Sequence, residues 1–142
     1  DLPVAPVSTL AALAQGAHRQ DGAERILPAI DARMGEVYWG AYQVRDGLAE
    51  PVLDDTVLAP EQVIVPEQGD WFGVGTGWGT YRDTLLERGA GRISGIEAER
   101  YPLAQDVVRL ASRMVEQGQT VSAEQALPVY LRDNVANKPK TK

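Results

Sequence analysis

The sequence predicts an α/β domain whose sheet has four or five mostly antiparallel strands, with helices packed against it. Two apolar runs, 26–32 and 37–44, flank a short charged connection and predict a β-hairpin. Apolar residues at helical spacing after Ser8, and again in the last third of the chain, predict amphipathic helices. A chain of 142 residues suits one domain with its own core. We expect that domain to span 1–136 and to be followed by a flexible basic tail, 137–142.

The first half of the chain predicts one helix followed by a three-stranded meander. Ser8 is a favourable N-cap, and Gly16 is expected to weaken the last turn of that helix ahead of a polar loop. Gly35 supplies the positive φ that a tight connection between the first two strands requires. An Asp-Gly pair at 46–47 predicts the next turn, and 51–58 is the third strand.

The second half of the chain alternates shorter elements with one long helix. Gly118 supplies a stop for that helix, and its apolar residues at 103, 107, 110 and 114 predict a single buried face. The predicted elements are a short helix or turn that begins at 60–61 and is ended by Pro66 and Gly69, a strand over 71–74 with a glycine-rich loop after it, helices over 81–88 and 103–117, and an edge strand over 128–131.

Composition excludes several classes of protein. The sequence has no cysteine, so it can form neither a disulfide framework nor a thiolate metal site. No apolar run approaches the roughly 20 residues that a membrane-spanning helix needs, and no signal peptide is visible. The net charge is −6, although all three lysines lie in 137–142. The remaining chain has 11 arginines against 20 acids, and such an acidic body is expected to repel a nucleic-acid backbone.

The residues predict no catalytic centre and no metal centre. His18 is the only histidine, so a metal site built on nitrogen or sulfur ligands has no second donor of those types. A hydrolase triad would have to use His18, and the chain has no Gly-x-Ser-x-Gly elbow. We therefore expect no catalytic residue in this chain.

A charged cluster between the first two strands is the strongest candidate site. It comprises Asp31, Arg33 and Glu36, followed by Tyr38 on the second strand. One interpretation is a binding surface for a partner or ligand, because strand ends and connecting loops often carry function. The other is structural, a hairpin end in which Arg33 pairs with Asp31 or Glu36 through charge-assisted hydrogen bonds. We favour the structural role, with partner contact second.

The glycine-rich loop after the strand 71–74 is a second candidate. Gly75, Thr76 and Gly77 lie where backbone N–H groups at a helix start can contact a phosphate. The spacing matches neither a dinucleotide fingerprint nor a Walker loop, since no lysine follows. The alternative is a tight turn that allows Trp78 to pack. A vestigial nucleotide loop is the less favoured interpretation.

Several blocks of sequence resemble the bacterial TsaB (YeaZ) family. The blocks occur in the family's order and cover most of the chain. They are Pro-Val-Ser-Thr-Leu at 6–10, Ala-Gln-Gly-Ala at 14–17, Asp-Ala-Arg-Met-Gly-Glu-Val-Tyr at 31–38, Val-Gly-Thr-Gly-Trp at 74–78 and Pro-Val-Tyr-Leu-Arg-Asp-Asn-Val-Ala at 128–136. The family's N-terminal strand and its Gly-Pro-Gly-Ser-Phe-Thr-Gly turn have no counterpart here. The resemblance thus implies the C-terminal portion of a longer protein.

The resemblance implies the second lobe of an actin/Hsp70-like, ribonuclease-H-type fold. It also implies a non-catalytic subunit of the cytoplasmic machinery that makes N6-threonylcarbamoyladenosine at position 37 of tRNA. The implied partners are a TsaD-type transferase, a TsaE-type ATPase and a second copy of the subunit, all through the full-length protein. ATP or ADP would belong to the full complex only. The alternative is an enzyme of the glycoprotease-like or nucleotide-binding class. Because the body is acidic, we expect no direct tRNA binding by this chain.

Overall fold

The α/β class predicted from the sequence is confirmed by a computed structural model, which describes residues 8–116. The elements in chain order are α1 (Thr9–Asp21), β1 (Arg25–Arg33), β2 (Glu36–Arg45), β3 (Leu48–Leu58), a 3-10 turn (Pro60–Gln62), β4 (Trp71–Val74), α2 (Thr76–Thr80), α3 (Arg82–Gly89), β5 (Ile93–Glu97) and α4 (Ala104–Glu116). The predicted strand at 128–131, the stop at Gly118 and the tail at 137–142 lie outside the described residues.

The five strands of residues 8–116 form one mixed sheet in the order β3-β2-β1-β4-β5. The meander β1-β2-β3 is antiparallel, as predicted, with Ile30 opposite Tyr38. In contrast, β4 runs parallel to β1, and β5 runs parallel to β4. Most of the strand pairing is thus antiparallel, as predicted, and the parallel pairings are confined to β4 and its two neighbours. β5 is parallel to β4 because α2 and α3 connect these two strands, and a helical crossover returns the chain in the same direction.

The first helix is longer than the sequence suggested. The Ser8 hydroxyl accepts a hydrogen bond from the Ala11 N–H at 3.1 Å, which confirms the predicted N-cap. Gly16 does not end the helix, which continues to Asp21 and is closed by Gly22 in the left-handed conformation. The glycine serves packing instead, because a Cβ at position 16 would lie 3.0 Å from the Asp106 carboxylate of α4.

The core has two layers, one on each face of the sheet. One face packs against α2, α3 and the loop before β4, and the other packs against α1, which α4 covers in turn. Tyr38 and Tyr42 lie on one face of β2 and Trp39 on the other, in line with the two-residue period of a strand. The three tryptophan indole N–H groups each donate a hydrogen bond of 2.8–3.0 Å to a backbone carbonyl: Trp39 to Ile64, Trp71 to Gln68 and Trp78 to Leu27. These bonds offset the cost of removing the indole N–H groups from water.

Two elements were not predicted from the sequence, and one predicted face is only partly covered. The loop expected after β4 is the short helix α2, and 93–97 is the strand β5. On α4, Val107 and Leu110 pack against α1 as expected, whereas Leu103 precedes the helix and is 40% exposed. Among the described residues, no helix is long and apolar enough to span a membrane.

Candidate functional site

The two sequence-predicted candidate sites meet in the structure around Asp31. The Asp31 backbone N–H donates to the Thr76 hydroxyl at 3.1 Å, across 45 residues of sequence. Its carboxylate accepts one hydrogen bond from the backbone N–H of Arg33 at 2.9 Å and a longer one from the Thr80 hydroxyl at 3.3 Å. These bonds connect the β1–β2 hairpin to α2. We call Asp31, Thr76 and Thr80 the sheet-edge site.

The position of this site follows from the strand order. β1 and β4 are neighbours in the sheet. The strand that follows β1 in the chain, β2, lies on the far side of β1, and the strand that follows β4, β5, lies on the far side of β4. Because β1 and β4 are parallel neighbours, their carboxyl ends lie at the same edge of the sheet. This divergence is the topological switch point where open α/β sheets commonly form their ligand crevices. The tertiary fold thus places the sequence's most polar junction at the position where such a site is expected.

The hairpin tip beside the sheet-edge site has an unusual backbone. Arg33, Met34 and Gly35 all have positive φ, at 66°, 56° and 76°. The positive φ expected at Gly35 is confirmed, and two non-glycine residues share it. A left-handed conformation costs a non-glycine residue roughly 1–2 kcal/mol, and the Asp31 bond to the Arg33 N–H helps offset that cost. The tip projects Met34 into solvent with 88% of its surface exposed.

The other predicted residues of the hairpin differ in environment. Arg33 is exposed, Glu36 is half-buried and the two face each other in the strand register. Tyr38 is half-buried opposite Ile30 and packs against the core beneath α1. The bond from Arg33 to Asp31 described above uses the backbone N–H, so a change of side chain at position 33 leaves its donor in place. A guanidinium–carboxylate pair at this hairpin stays a prediction.

The glycine-rich turn packs tightly against β1. A Cβ at Gly75, which has φ +112°, would lie 2.2 Å from the Ala29 carbonyl oxygen, and one at Gly77 would lie 2.8 Å from a methyl of Val37. The Gly75 N–H donates to the Glu97 carbonyl at 3.0 Å and joins the turn to β5. These contacts favour the tight-turn interpretation, in which the glycines make room for the chain's own strands. A vestigial nucleotide contact at Gly75, Thr76 and Gly77 stays a prediction.

A partly buried polar triad that the sequence did not reveal joins α1 to the meander. Asp55 accepts hydrogen bonds from the Ser8 hydroxyl at 2.6 Å and from the Tyr42 hydroxyl at 2.7 Å. A β-bulge directs Asp55 inward, because Gly40 of β2 faces two residues of β3 between the pairs Trp39–Thr56 and Ala41–Leu53. A Cβ at Gly40 would lie 2.7 Å from the Asp55 carboxylate, so glycine is needed there.

Burial shifts the acidity of this triad. Desolvation raises the pKa of Asp55 above its ordinary value of 3.8, although the bonds from Ser8 and Tyr42 oppose that shift. Desolvation and the nearby Asp55 carboxylate likewise raise the pKa of the Tyr42 hydroxyl. Tyr42 therefore remains a neutral hydrogen-bond donor at physiological pH. We call Ser8, Tyr42 and Asp55 the buried triad.

Two ion pairs hold the end of α1 against the segment that leads into α4. Arg19 binds the buried carboxylate of Asp106 with two hydrogen bonds of 2.9 Å each. Arg100 binds Asp21 at 2.5 and 3.0 Å. Asp106 follows Arg19 by 87 residues, and no local sequence pattern identifies such a partner. The first-turn position of Asp106 in α4 is the only sequence signal for this residue, since acids are favoured at helix starts.

The surroundings of His18 favour a structural role at the end of α1. It lies in the last turn of α1, and its Nδ1 is 2.9 Å from the carbonyl oxygen of Ala23, just past the helix end. Within 8–116, no three His, Cys, Asp or Glu side chains are grouped closely enough to hold a metal ion.

The mixed sheet, its strand order and the helices on both faces define a domain of the actin/Hsp70-like class. A family model described as "TsaD: tRNA N6-adenosine threonylcarbamoyltransferase" matches residues 1–140. Relatives named "tRNA threonylcarbamoyladenosine biosynthesis protein TsaB" are 47% identical over 141 residues in Escherichia coli K12 and 37% identical over 144 residues in Haemophilus influenzae. The chain belongs to this family, and within it to the TsaB (YeaZ) proteins.

Solved structures agree with this assignment. A structure described as "YeaZ from Pseudomonas aeruginosa" is 50% identical with a TM-score of 0.79, and the match covers 90% of this chain and 60% of that one. A second, described as similar to "peptidase YEAZ" from the same organism, has 50% identity, a TM-score of 0.77 and coverages of 89% and 57%. The matches to the two curated relatives cover 96% and 95% of this chain but only 60% and 59% of the relatives. The chain thus spans about 60% of their length.

Proposed function

We propose that this chain is the C-terminal lobe of a non-catalytic subunit that supports and activates a TsaD-type transferase in tRNA N6-threonylcarbamoyladenosine synthesis. The full-length subunit works in the cytoplasm with that transferase and a TsaE-type ATPase, and pairs with a second copy of itself. ATP or ADP binds only in the full complex. The names of the relatives and of the matching family model support the pathway.

The observation that carries the non-catalytic role is the bonding of Asp31. This carboxylate is the acid at the switch-point edge, and both of its oxygens accept hydrogen bonds from the chain itself. Those bonds hold the hairpin tip against α2, which suits a rigid contact surface. A general base would instead be directed at a substrate proton. The tip also carries Met34, whose side chain is open to solvent.

The alternative function is that of an enzyme, and one observation favours it: a solved relative is described by its similarity to a peptidase. A peptidase with a histidine base on this chain would have to use His18. The Nδ1 of His18 lies within hydrogen-bond distance of the Ala23 carbonyl, which favours a structural use. The test is peptidase activity of the full-length protein with and without His18→Ala. Activity that disappears in the variant would support the enzyme and contradict the proposal.

The main test is reconstitution of tRNA modification with the full-length protein, its transferase and its ATPase. The variant is Arg33→Ala at the hairpin tip, and the matched control is Arg45→Ala beside the other hairpin turn, where Arg45 forms an exposed ion pair with Glu50. We expect Arg33→Ala to change the melting temperature little, since an exposed ion pair contributes at most about 1 kcal/mol. A modification rate that falls only in Arg33→Ala would assign the tip to partner contact.

Two results would contradict parts of this proposal. Failure of the full-length protein to co-purify with a TsaD-type transferase would remove the scaffold role. Sub-micromolar tRNA binding by this chain at physiological salt would contradict the expectation from its acidic body. An unchanged modification rate in Arg33→Ala would leave the hairpin with a structural role only.

A further inference from the structure

The three side chains of the buried triad contact one another pairwise and form a closed ring. The Ser8 hydroxyl lies 2.6 Å from one carboxylate oxygen of Asp55, and the Tyr42 hydroxyl lies 2.7 Å from the other. The two hydroxyl oxygens are 3.4 Å apart, and either of them can act as the donor of that third contact. Each group of the triad thus has a polar contact with both of the others.

The number of hydrogens available to this ring depends on whether Asp55 is ionised. Each hydroxyl carries one hydrogen, and an ionised carboxylate carries none. With Asp55 ionised, both hydroxyl hydrogens point to the carboxylate, so none remains for the contact between Ser8 and Tyr42. With Asp55 protonated, three hydrogens serve three contacts: the acid donates to one hydroxyl, that hydroxyl donates to the other, and the second donates back to the acid. Only the protonated ring is complete.

The complete ring is compatible with the N-cap of α1. The Ser8 oxygen accepts the Ala11 N–H at 3.1 Å, and a hydroxyl has two acceptor lone pairs besides its donor hydrogen. Ser8 can therefore accept from Asp55 and from Ala11 while it donates to Tyr42. The separation of 3.4 Å between the two hydroxyl oxygens exceeds the roughly 2.8 Å that is typical of such a bond. Completing the ring therefore draws the start of α1 towards β2.

The surroundings of Asp55 favour its protonated form. Within residues 8–116, no basic side chain forms an ion pair with Asp55. α1 presents the Ser8 hydroxyl and has no charged side chain in its first turn, β2 presents the Tyr42 hydroxyl, and β3 adds the charge of the neighbouring Asp54. Desolvation is the main cause that raises the pKa of Asp55, the bonds from Ser8 and Tyr42 oppose it, and the charge of Asp54 adds to it.

We propose that the buried triad is a proton-binding site, which closes as a ring of three hydrogen bonds when Asp55 is protonated and thereby tightens the start of α1 against the sheet. Hydrogen bonds in a ring whose members each donate and accept strengthen one another. As pH rises, the ring opens at the contact between Ser8 and Tyr42, while both bonds to the carboxylate remain. The triad is thus a pH-sensitive latch that works within the domain and needs no partner protein.

A double-mutant cycle of Ser8→Ala and Tyr42→Phe in the full chain measures the contact that only the protonated ring completes. Urea denaturation gives the unfolding equilibrium constant of the wild type, the two single variants and the double variant at about pH 4 and about pH 8. The loss of the N-cap in Ser8→Ala cancels in the cycle. We expect the favourable coupling between the two side chains to be about fivefold greater at the lower pH, which is the net contribution of one hydrogen bond.

Two further backgrounds separate the ring from other effects of pH. Asp55→Asn keeps an acceptor oxygen and supplies a permanent N–H donor, so the favourable coupling should be about fivefold at both pH values. The matched control is Asp54→Asn, the exposed neighbour, in which the coupling should still depend on pH. Equal coupling at the two pH values in the wild type would overturn the proposal. So would a coupling that is absent from Asp55→Asn, or one that still depends on pH in that variant.

Discussion

The sheet-edge site and the buried triad use the same chemistry in opposite environments. In each, an aspartate accepts a hydroxyl hydrogen bond that links a helix or its N-cap to the sheet: Thr80 to Asp31 in the first, and Ser8 to Asp55 in the second. Asp55 also accepts a bond from the Tyr42 hydroxyl of the neighbouring strand. The bond at Asp31 is exposed and 3.3 Å long. The bonds at Asp55 are largely shielded from water and 2.6–2.7 Å long.

The difference shows which polar cluster stabilises the domain and which is available for contacts. Water competes for the exposed carboxylate bonds at the sheet-edge site, so losing one of them costs little free energy. A hydroxyl or carboxylate left without a partner in the buried triad costs more free energy, because this cluster is largely shielded from water. We therefore expect stability to depend on Asp55, and any partner contact to fall on the surface around Asp31.

The largest effect is expected from the backbone beneath the sheet-edge site. Gly75→Ala would place a Cβ 2.2 Å from the Ala29 carbonyl in a residue with φ +112°. We expect the free energy of unfolding, measured by urea denaturation, to fall by about 3 kcal/mol or more because strain and steric overlap add. The control is Gly91→Ala, which has φ +83° but no atom within 4 Å of the added Cβ, and should lose only about 1 kcal/mol. Equal losses would show that the close approach to β1 is unimportant.

Asp55→Ala tests the buried triad directly. It removes the acceptor of both Ser8 and Tyr42, and we expect a loss of about 2–3 kcal/mol in the free energy of unfolding. The matched control is Asp54→Ala, the exposed neighbour on β3, for which we expect a change within about 0.5 kcal/mol. If both variants unfold at the same urea concentration, the triad contributes no more than the surface does.

The pH dependence of stability should reveal the partial burial of Asp55. The pKa of Asp55 is raised in the folded state, so folding binds its proton more tightly than the unfolded chain does. The stabilisation from this proton is therefore complete below pH 3.8 and is lost as pH rises through the folded pKa.

Asp55→Asn, which cannot titrate, should lack this component when chemical denaturation is repeated from pH 3 to pH 7. As pH rises, the free energy of unfolding of the wild type should therefore fall relative to that of the variant. A difference that does not vary over this range, or that shifts in favour of the wild type, would contradict the raised pKa.

The smallest effects are expected within the sheet-edge site itself. The half-buried Thr76 accepts the Asp31 N–H, so Thr76→Ala should cost about 1 kcal/mol. The exposed Thr80 makes only longer bonds of 3.3 Å, and Thr80→Ala should change stability by about 0.5 kcal/mol or less. Thermal melts monitored by circular dichroism would rank the two variants, Thr76→Ala and Thr80→Ala, by stability. The reverse order would mean that the Asp31 carboxylate, rather than its backbone, anchors the hairpin to α2.

Features that depend on neighbours in the sequence were predicted correctly. The N-cap at Ser8, the positive φ at Gly35 and the turn at 46–47 each follow from the conformational preference of one or two residues. The alternation that places Tyr38 and Trp39 on opposite faces follows from the two-residue period of a strand. The TsaB (YeaZ) resemblance was visible in contiguous blocks for the same reason: each block is local.

Features that depend on distant partners were decided by the tertiary structure. β5 contains Ser94 and Gly95, which have weak strand preference, and it exists because β4 offers a parallel partner. The bonds of Asp31, Asp55 and Asp106 cross 45, 47 and 87 residues respectively. An aspartate looks the same in the sequence whether its carboxylate becomes exposed, is turned inward by a β-bulge or pairs with an arginine. Only the packing of the strands and helices around it determines its environment, and hence its pKa, its contribution to stability and its availability to a partner.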